Sequence, residues 1–181
     1  MASNSVETRW PAMSGQRVRV ESEIDIDRPP QAVFDYVTTP AFWHTWHPAT
    51  VAVRGAPHRP LKVGETALEL IAMAGRHEQA LWTVQVCVPP QRWEIDTDTR
   101  SGSAHIVYEV IPRKAGSRFH RTLEYRSKHW PWRLLDSTLT RWLLERQSAR
   151  ALRNLKVVLE RREEERPGAT RPRYSGPERR R

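Results

Sequence analysis

Between Arg17 and Ile26 the chain alternates, with Val18, Val20, Ile24 and Ile26 on one parity and Arg17, Arg19, Glu21, Glu23 and Asp25 on the other. Only Ser22 interrupts the apolar parity, and the pattern predicts a strand with one covered face. Asp27, Arg28, Pro29 and Pro30 follow, and Val33, Phe34 and Val37 then fall at helical spacing. Proline suits a first helical turn because its missing N–H had no partner there. Pro40 stops this helix, because the residue before a proline avoids the α region. A second short helix or turn carries Phe42, Trp43, Trp46 and His47 and ends at Pro48.

Period-two segments fill the centre of the chain. Strands are expected at Val51 to Arg54, Glu65 to Met73, His77 to Val88, Arg92 to Thr99, Ala104 to Ile111 and Arg118 to Ser127. Short stretches such as Val63-Gly64, Pro89-Pro90, Ser101-Gly102 and Ala115-Gly116 separate them, which favours an antiparallel meander. Trp82, Val84 and Val86 share a parity, as do Trp93 and Ile95; Ile106, Tyr108 and Val110; and Phe119, Arg121, Leu123 and Tyr125. Cys87 falls on the opposite parity to Trp82 and reads as a small buried residue. From Leu134 to about Glu165 there is neither Pro nor Gly, and Leu135, Leu139, Trp142, Leu152, Leu155 and Leu159 lie near one helical stripe. Such a helix needs an apolar surface, and the covered face of the sheet is the candidate.

These elements describe an α+β fold: a curved antiparallel sheet of six or seven strands wrapped around a long C-terminal helix, with two short helices after the first strand. A single domain over residues 17–165 is expected, preceded by an aperiodic segment 1–16 and followed by a basic tail 166–181, both read as disordered. The tail carries six Arg and one Glu, so it holds more than half of the net charge of +9. A solvated tail is the simpler reading of that charge, ahead of a nucleic-acid or anionic partner. Residues 1–16 lack the apolar run of a secretory signal, and no stretch reaches the ~20 apolar residues of a membrane-spanning helix. One cysteine allows no internal disulfide, and a cytoplasmic location is the default.

Eight Trp are a heavy aromatic load for 181 residues, and large rings suit both cores and ligand cavities. Arg121 shares parity with apolar neighbours, so its guanidinium faces wherever they face. It needs either a salt bridge to a neighbouring strand or the long helix, or a ligand carboxylate, phosphate or enolate oxygen. Tyr108 and Tyr125 can place hydroxyls on the same side, as core residues or as proton donors. His44 and His47 lie three apart, but no further metal ligand is presented nearby, so no metal is expected. There is no nucleophile elbow and no glycine-rich phosphate loop, and no cofactor is expected. Trp130 and Trp132, set among bases before the long helix, can pack over the helix start, form a lid, or touch a membrane surface.

The order of elements and several local runs resemble the START/SRPBCC superfamily, in particular its polyketide cyclase/dehydrase and lipid transport branch. The resemblance spans about Val18 to Leu159. It rests on the run Ile26 to Val37, on Pro40, Trp43 and Trp46-His47-Pro48, and on Val63-Gly64. Trp82-Thr83-Val84 with Pro89-Pro90, Gly116 to Tyr125, and Leu152 to Lys156 complete it. It implies the helix-grip fold and an internal apolar cavity that takes a hydrophobic small molecule such as a lipid, isoprenoid, polyketide or aromatic compound. The residues expected to line that cavity are Trp43, Trp46, His47, Trp82, Trp93, Tyr108, Phe119, Arg121, Leu123, Tyr125 and Trp142. A cyclase or dehydratase using the same cavity is the alternative, and an interaction protein using the basic tail a second one. A shared fold does not by itself choose among them.

Overall fold

A computed structural model describes residues 17–73, 76–128 and 137–164. The N-terminal segment, the basic tail, Leu135, and Trp130 and Trp132 therefore lie outside the described residues. The elements are β1 (Arg17–Ile26), α1 (Pro30–Thr38), a single 3₁₀ turn (Pro40–Phe42), α2 (Trp43–Trp46), β2 (Thr50–Arg54), β3 (Thr66–Met73), β4 (Arg76–Val88), β5 (Arg92–Asp98), β6 (Gly102–Pro112), β7 (Ser117–Ser127) and α3 (Ser137–Glu164).

The strands form one antiparallel sheet in the order β1-β7-β6-β5-β4-β3-β2. From β2 onward the chain is a plain meander. β1 closes onto β7, so α1 and α2 must carry the chain from one edge of the sheet to the other. Seven twisted strands curl, and the apolar parity of every strand lines the concave side. Val20, Leu123, Ile106, Ile95 and Val84 meet there in register across five strands. The convex side is ionic: Arg118 holds Asp25 at 2.7 Å, and Arg92 bridges Glu94 and Glu109.

One expectation about parity fails locally. A bulge between Val84 and Val86 shifts the register, so Cys87 pairs with Trp93 and packs against the core. Val86 is then the residue opposite Glu94, on the ionic side. An extra residue in one strand reverses the facing of everything beyond it.

Pro29 and Pro30 start α1, whose Val33, Phe34, Tyr36 and Val37 are buried. The Trp43 indole N–H donates to the Val37 carbonyl at 2.9 Å, which folds α2 back on α1. The long helix α3 runs along β1 and α2. Its buried stripe is Leu144, Ser148, Ala151, Leu152, Leu155 and Leu159. Lys156 donates to the Asp25 carbonyl at 2.7 Å, and Glu160 accepts from the Asp27 N–H at 3.0 Å. Leu139 and Trp142, expected on the buried stripe, are instead 54% and 51% exposed. At about 100° per residue, Leu139 and Trp142 fall on the far side of the helix from Leu144, Leu152, Leu155 and Leu159, so the expected stripe was out of phase with the buried one.

Candidate functional site

A polar group sits inside the concave face, built around Arg121. Alternation along β7 turns Phe119, Arg121 and Leu123 inward, and all three are buried. Register sets Ser22 of β1 and Tyr108 of β6 on either side of Arg121, with Trp93 one strand further. Only 2% of Arg121 is exposed. One terminal nitrogen donates to Ser148 Oγ of α3 at 2.7 Å, and the guanidinium lies near enough to the Tyr108 hydroxyl to act on it. Ser148 occupies the helical stripe between Leu144 and Leu152, so the helix is polar at the one turn that meets Arg121.

Aromatic rings surround this group. Trp46 packs edge-on against Tyr108 and Phe119 at centroid distances of 6.1 and 6.4 Å. Tyr108 stacks on Trp93 at 5.4 Å, and Trp93 meets Trp43 edge-on at 6.2 Å. Asn154 of α3 donates to the Trp46 carbonyl at 3.2 Å and fixes α2 over the sheet.

A buried carboxyl faces Arg121 from the other wall. Glu69 of β3 is 5% exposed. Its oxygens accept from the Trp82 indole N–H at 2.6 Å and from the Thr50 hydroxyl. In a flat sheet the four strand spacings from β7 to β3 would separate the two residues by about 19 Å. The curl brings them close enough for the Arg121 charge to act on Glu69. Burial pushes the Glu69 carboxyl above its ordinary value, while Thr50, Trp82 and Arg121 pull it back. Each partner has its own direct hydrogen bonds, and the two interact across the space between them.

His47 ends α2 beside this pair. Its Nδ1 lies 3.4 Å from the Thr50 hydroxyl, whose proton goes to Glu69, so Nδ1 carries the hydrogen. Burial, and then the Arg121 charge, lower the imidazole to about 3. The sign is therefore fixed. Below the ordinary 6.5 an unfolded chain protonates this histidine and the folded one does not, so acid favours unfolding down to about 3. Between pH 6.5 and 5 we expect a loss of about 1–2 kcal/mol from this group. Urea unfolding of wild type and His47→Gln tests it: the substitution is expected to flatten the profile, and parallel profiles would show that His47 is not the source.

The structure brings Trp43, Trp46, His47, Trp82, Trp93, Tyr108, Phe119, Arg121 and Leu123 to the concave side. It does not bring Tyr125 or Trp142 to Arg121. The Tyr125 hydroxyl reaches the Ser101 carbonyl at the far end of the sheet, at 3.4 Å. Trp142 lies under the Arg146 guanidinium, 5.4 Å from its ring centre, on the outer side of α3. Glu69, Thr50, Ser22, Ser148 and Asn154 were not anticipated. The signal for Glu69 was its place between Ala67 and Ile71 on the covered parity, and for Ser22 its interruption of β1.

Solved structures share this architecture at low identity. A START superfamily protein from Mycobacterium smegmatis superposes with a TM-score of 0.67 at 9% identity, over 79% of this chain and 97% of that one. The Zhui aromatase/cyclase from Streptomyces sp. R1128 gives 0.66 at 13% identity, over 82% and 96%. A Thermus thermophilus protein gives 0.65 at 14%, over 81% and 99%. No curated protein matches the sequence. At these identities the likeness carries the fold alone, but residues 17–160 match one family model over most of the chain. The chain belongs to the family described as polyketide cyclase / dehydrase and lipid transport.

Proposed function

We propose that this domain binds a hydrophobic small molecule against the concave face, between the sheet and α3. The observation that carries the reading is a buried guanidinium, held by Ser148 and set beside Tyr108, within a wall of aromatic rings. Ligand sites have this composition: mostly apolar lining that supplies affinity, with a few fixed polar groups that orient the guest. Apolar burial contributes about 25 cal/mol per Å² before the cost of ordering. The family description, which includes lipid transport, supports the same class of ligand.

Mass spectrometry of the purified full-length protein, native and then solvent-extracted, is the direct test. A stoichiometric lipid, isoprenoid, polyketide or aromatic compound is the expected result. A protein that is empty and also takes up no apolar probe would overturn the reading.

A second reading uses the same face for catalysis. Tyr108 is the register partner of Arg121 and lies within the field of Glu69, so a hydroxyl and a carboxyl of raised proton affinity lie near one another. Such a pair suits a ring closure or dehydration that needs a proton delivered. Tyr108→Phe is then expected to lower turnover of a polyketide-like substrate by ~10²-fold or more while leaving its binding intact. Full activity in that variant would remove Tyr108 from the chemistry. Two smaller proposals concern residues outside the described ones. Trp130 and Trp132 would contact a membrane surface, and the basic tail would bind an acidic partner in a salt-dependent way.

A further inference from the structure

Among the described residues, Arg121 Nε, Trp46 Nε1 and Ser22 Oγ are buried polar atoms with no hydrogen-bond partner. They come from β7, α2 and β1, yet they share one neighbourhood. Ser22 is the register partner of Arg121. The Trp46 ring packs on Tyr108 and Phe119, which flank Arg121 across and along the sheet. Trp46 and Arg121 are 1% and 2% exposed, so water is not their ordinary partner. A buried donor without an acceptor is destabilising, and native interiors seldom leave one. Two such donors beside an unpaired hydroxyl mark a place that an acceptor atom completes.

The charge balance of the site says which acceptor. Taken alone, Arg121 would call for an acidic group. Glu69, buried on β3, lies within reach of the Arg121 charge, so the site already holds one acidic group. A ligand carboxylate or phosphate would set a second acidic group beside one guanidinium, away from water, and would hold one of the two protonated. A carbonyl oxygen offers two lone pairs and no charge. We propose that the ligand is electrically neutral and presents a ketone, enone or quinone oxygen to Arg121 Nε and Trp46 Nε1, with Ser22 as the third contact. This rests on the binding reading above and names the chemical class of its guest.

The test uses three probes on one ring system, 2-acetonaphthone, 2-ethylnaphthalene and 2-naphthoate, each measured by equilibrium dialysis against the full-length protein near neutral pH. The ketone is expected to bind about tenfold more tightly than the hydrocarbon or the carboxylate, the equivalent of one or two net hydrogen bonds. Ser22→Ala and Trp46→Phe should each shrink the advantage of the ketone over the hydrocarbon several-fold. Glu69→Gln keeps groups that can pair with Thr50 and Trp82 but removes the charge, and should raise naphthoate affinity about tenfold. A carboxylate or hydrocarbon that binds wild type as tightly as the ketone overturns the inference and leaves the binding reading standing. No binding by any of the three overturns the binding reading and the inference with it. The wild-type series decides alone if a variant fails to fold.

Discussion

Arg121→Met is expected to destabilise the domain by about 2–3 kcal/mol at neutral pH, because it strands the buried Ser148 hydroxyl and withdraws the charge that favours an ionised Glu69. Methionine retains much of the apolar stem, so the loss comes from the charge and its hydrogen bonds. Ser148 loses its donor, Tyr108 a neighbouring cation, and Glu69 the positive charge that favours its ionised form. Glu69 is already raised above its ordinary 4.5 by burial, and without Arg121 it rises further. For a carboxyl raised on folding, the stabilisation is complete below 4.5 and is lost as pH climbs through the folded value. The deficit of Arg121→Met against wild type should therefore narrow below about pH 5 and widen toward pH 8. Adding Glu69→Gln removes the stranded carboxylate, and the double variant should recover part of the loss. Urea unfolding of wild type, Arg121→Met, Glu69→Gln and the double variant at two pH values measures the coupling. Additive losses with no pH dependence would mean that the two residues are not a charge pair.

Gly116→Ala is expected to cost about 3 kcal/mol or more, because it combines backbone strain with a steric conflict. Gly116 has φ of +83° in the β6–β7 turn, and an added Cβ would lie 2.1 Å from the Ile26 carbonyl oxygen and 2.8 Å from the Arg28 nitrogen. Both obstacles are backbone, so nothing flexible can move aside. The turn is pinned there by the Ser117 hydroxyl, which donates to the Arg28 carbonyl at 3.0 Å. Displacing it would shift the junction from which α1 and α2 depart, and with it Trp46 and His47. Gly64 supplies the control. Its φ is +81°, but nothing lies within 4 Å of the added Cβ. Gly64→Ala should therefore cost only about 1–2 kcal/mol for the left-handed conformation. Equal losses in the two variants would refute the close approach at Gly116.

The pattern of apolar residues predicted six or seven strands, two short helices and one long helix, and the structure has seven strands with the helices in that order. Strand parity is a local property, so Phe119, Arg121, Leu123 and Tyr108 could be assigned to one face before any coordinate was known. Parity failed at Cys87, where a bulge inserts one residue, and insertion leaves no mark in composition. The expected stripe was also misphased on α3. Leu139 and Trp142 fall on the far side of the helix from Leu152, Leu155 and Leu159, and the buried face is the one that lies on β1 and α2.

Identity of the elements, the inward turn of Arg121 and the aromatic wealth of the concave face were thus determined by the sequence, through periodicities of two and 3.6 residues. What Arg121 meets was decided by the tertiary structure. Glu69 lies 52 positions earlier and four strands away, and the two share a space because seven twisted strands curl. Curl is a sum over the whole sheet, and no local window of residues contains it. The same closure leaves Trp46 Nε1, Arg121 Nε and Ser22 Oγ buried without hydrogen-bond partners among the described residues, and it brings the Glu69 carboxyl within reach of the Arg121 charge.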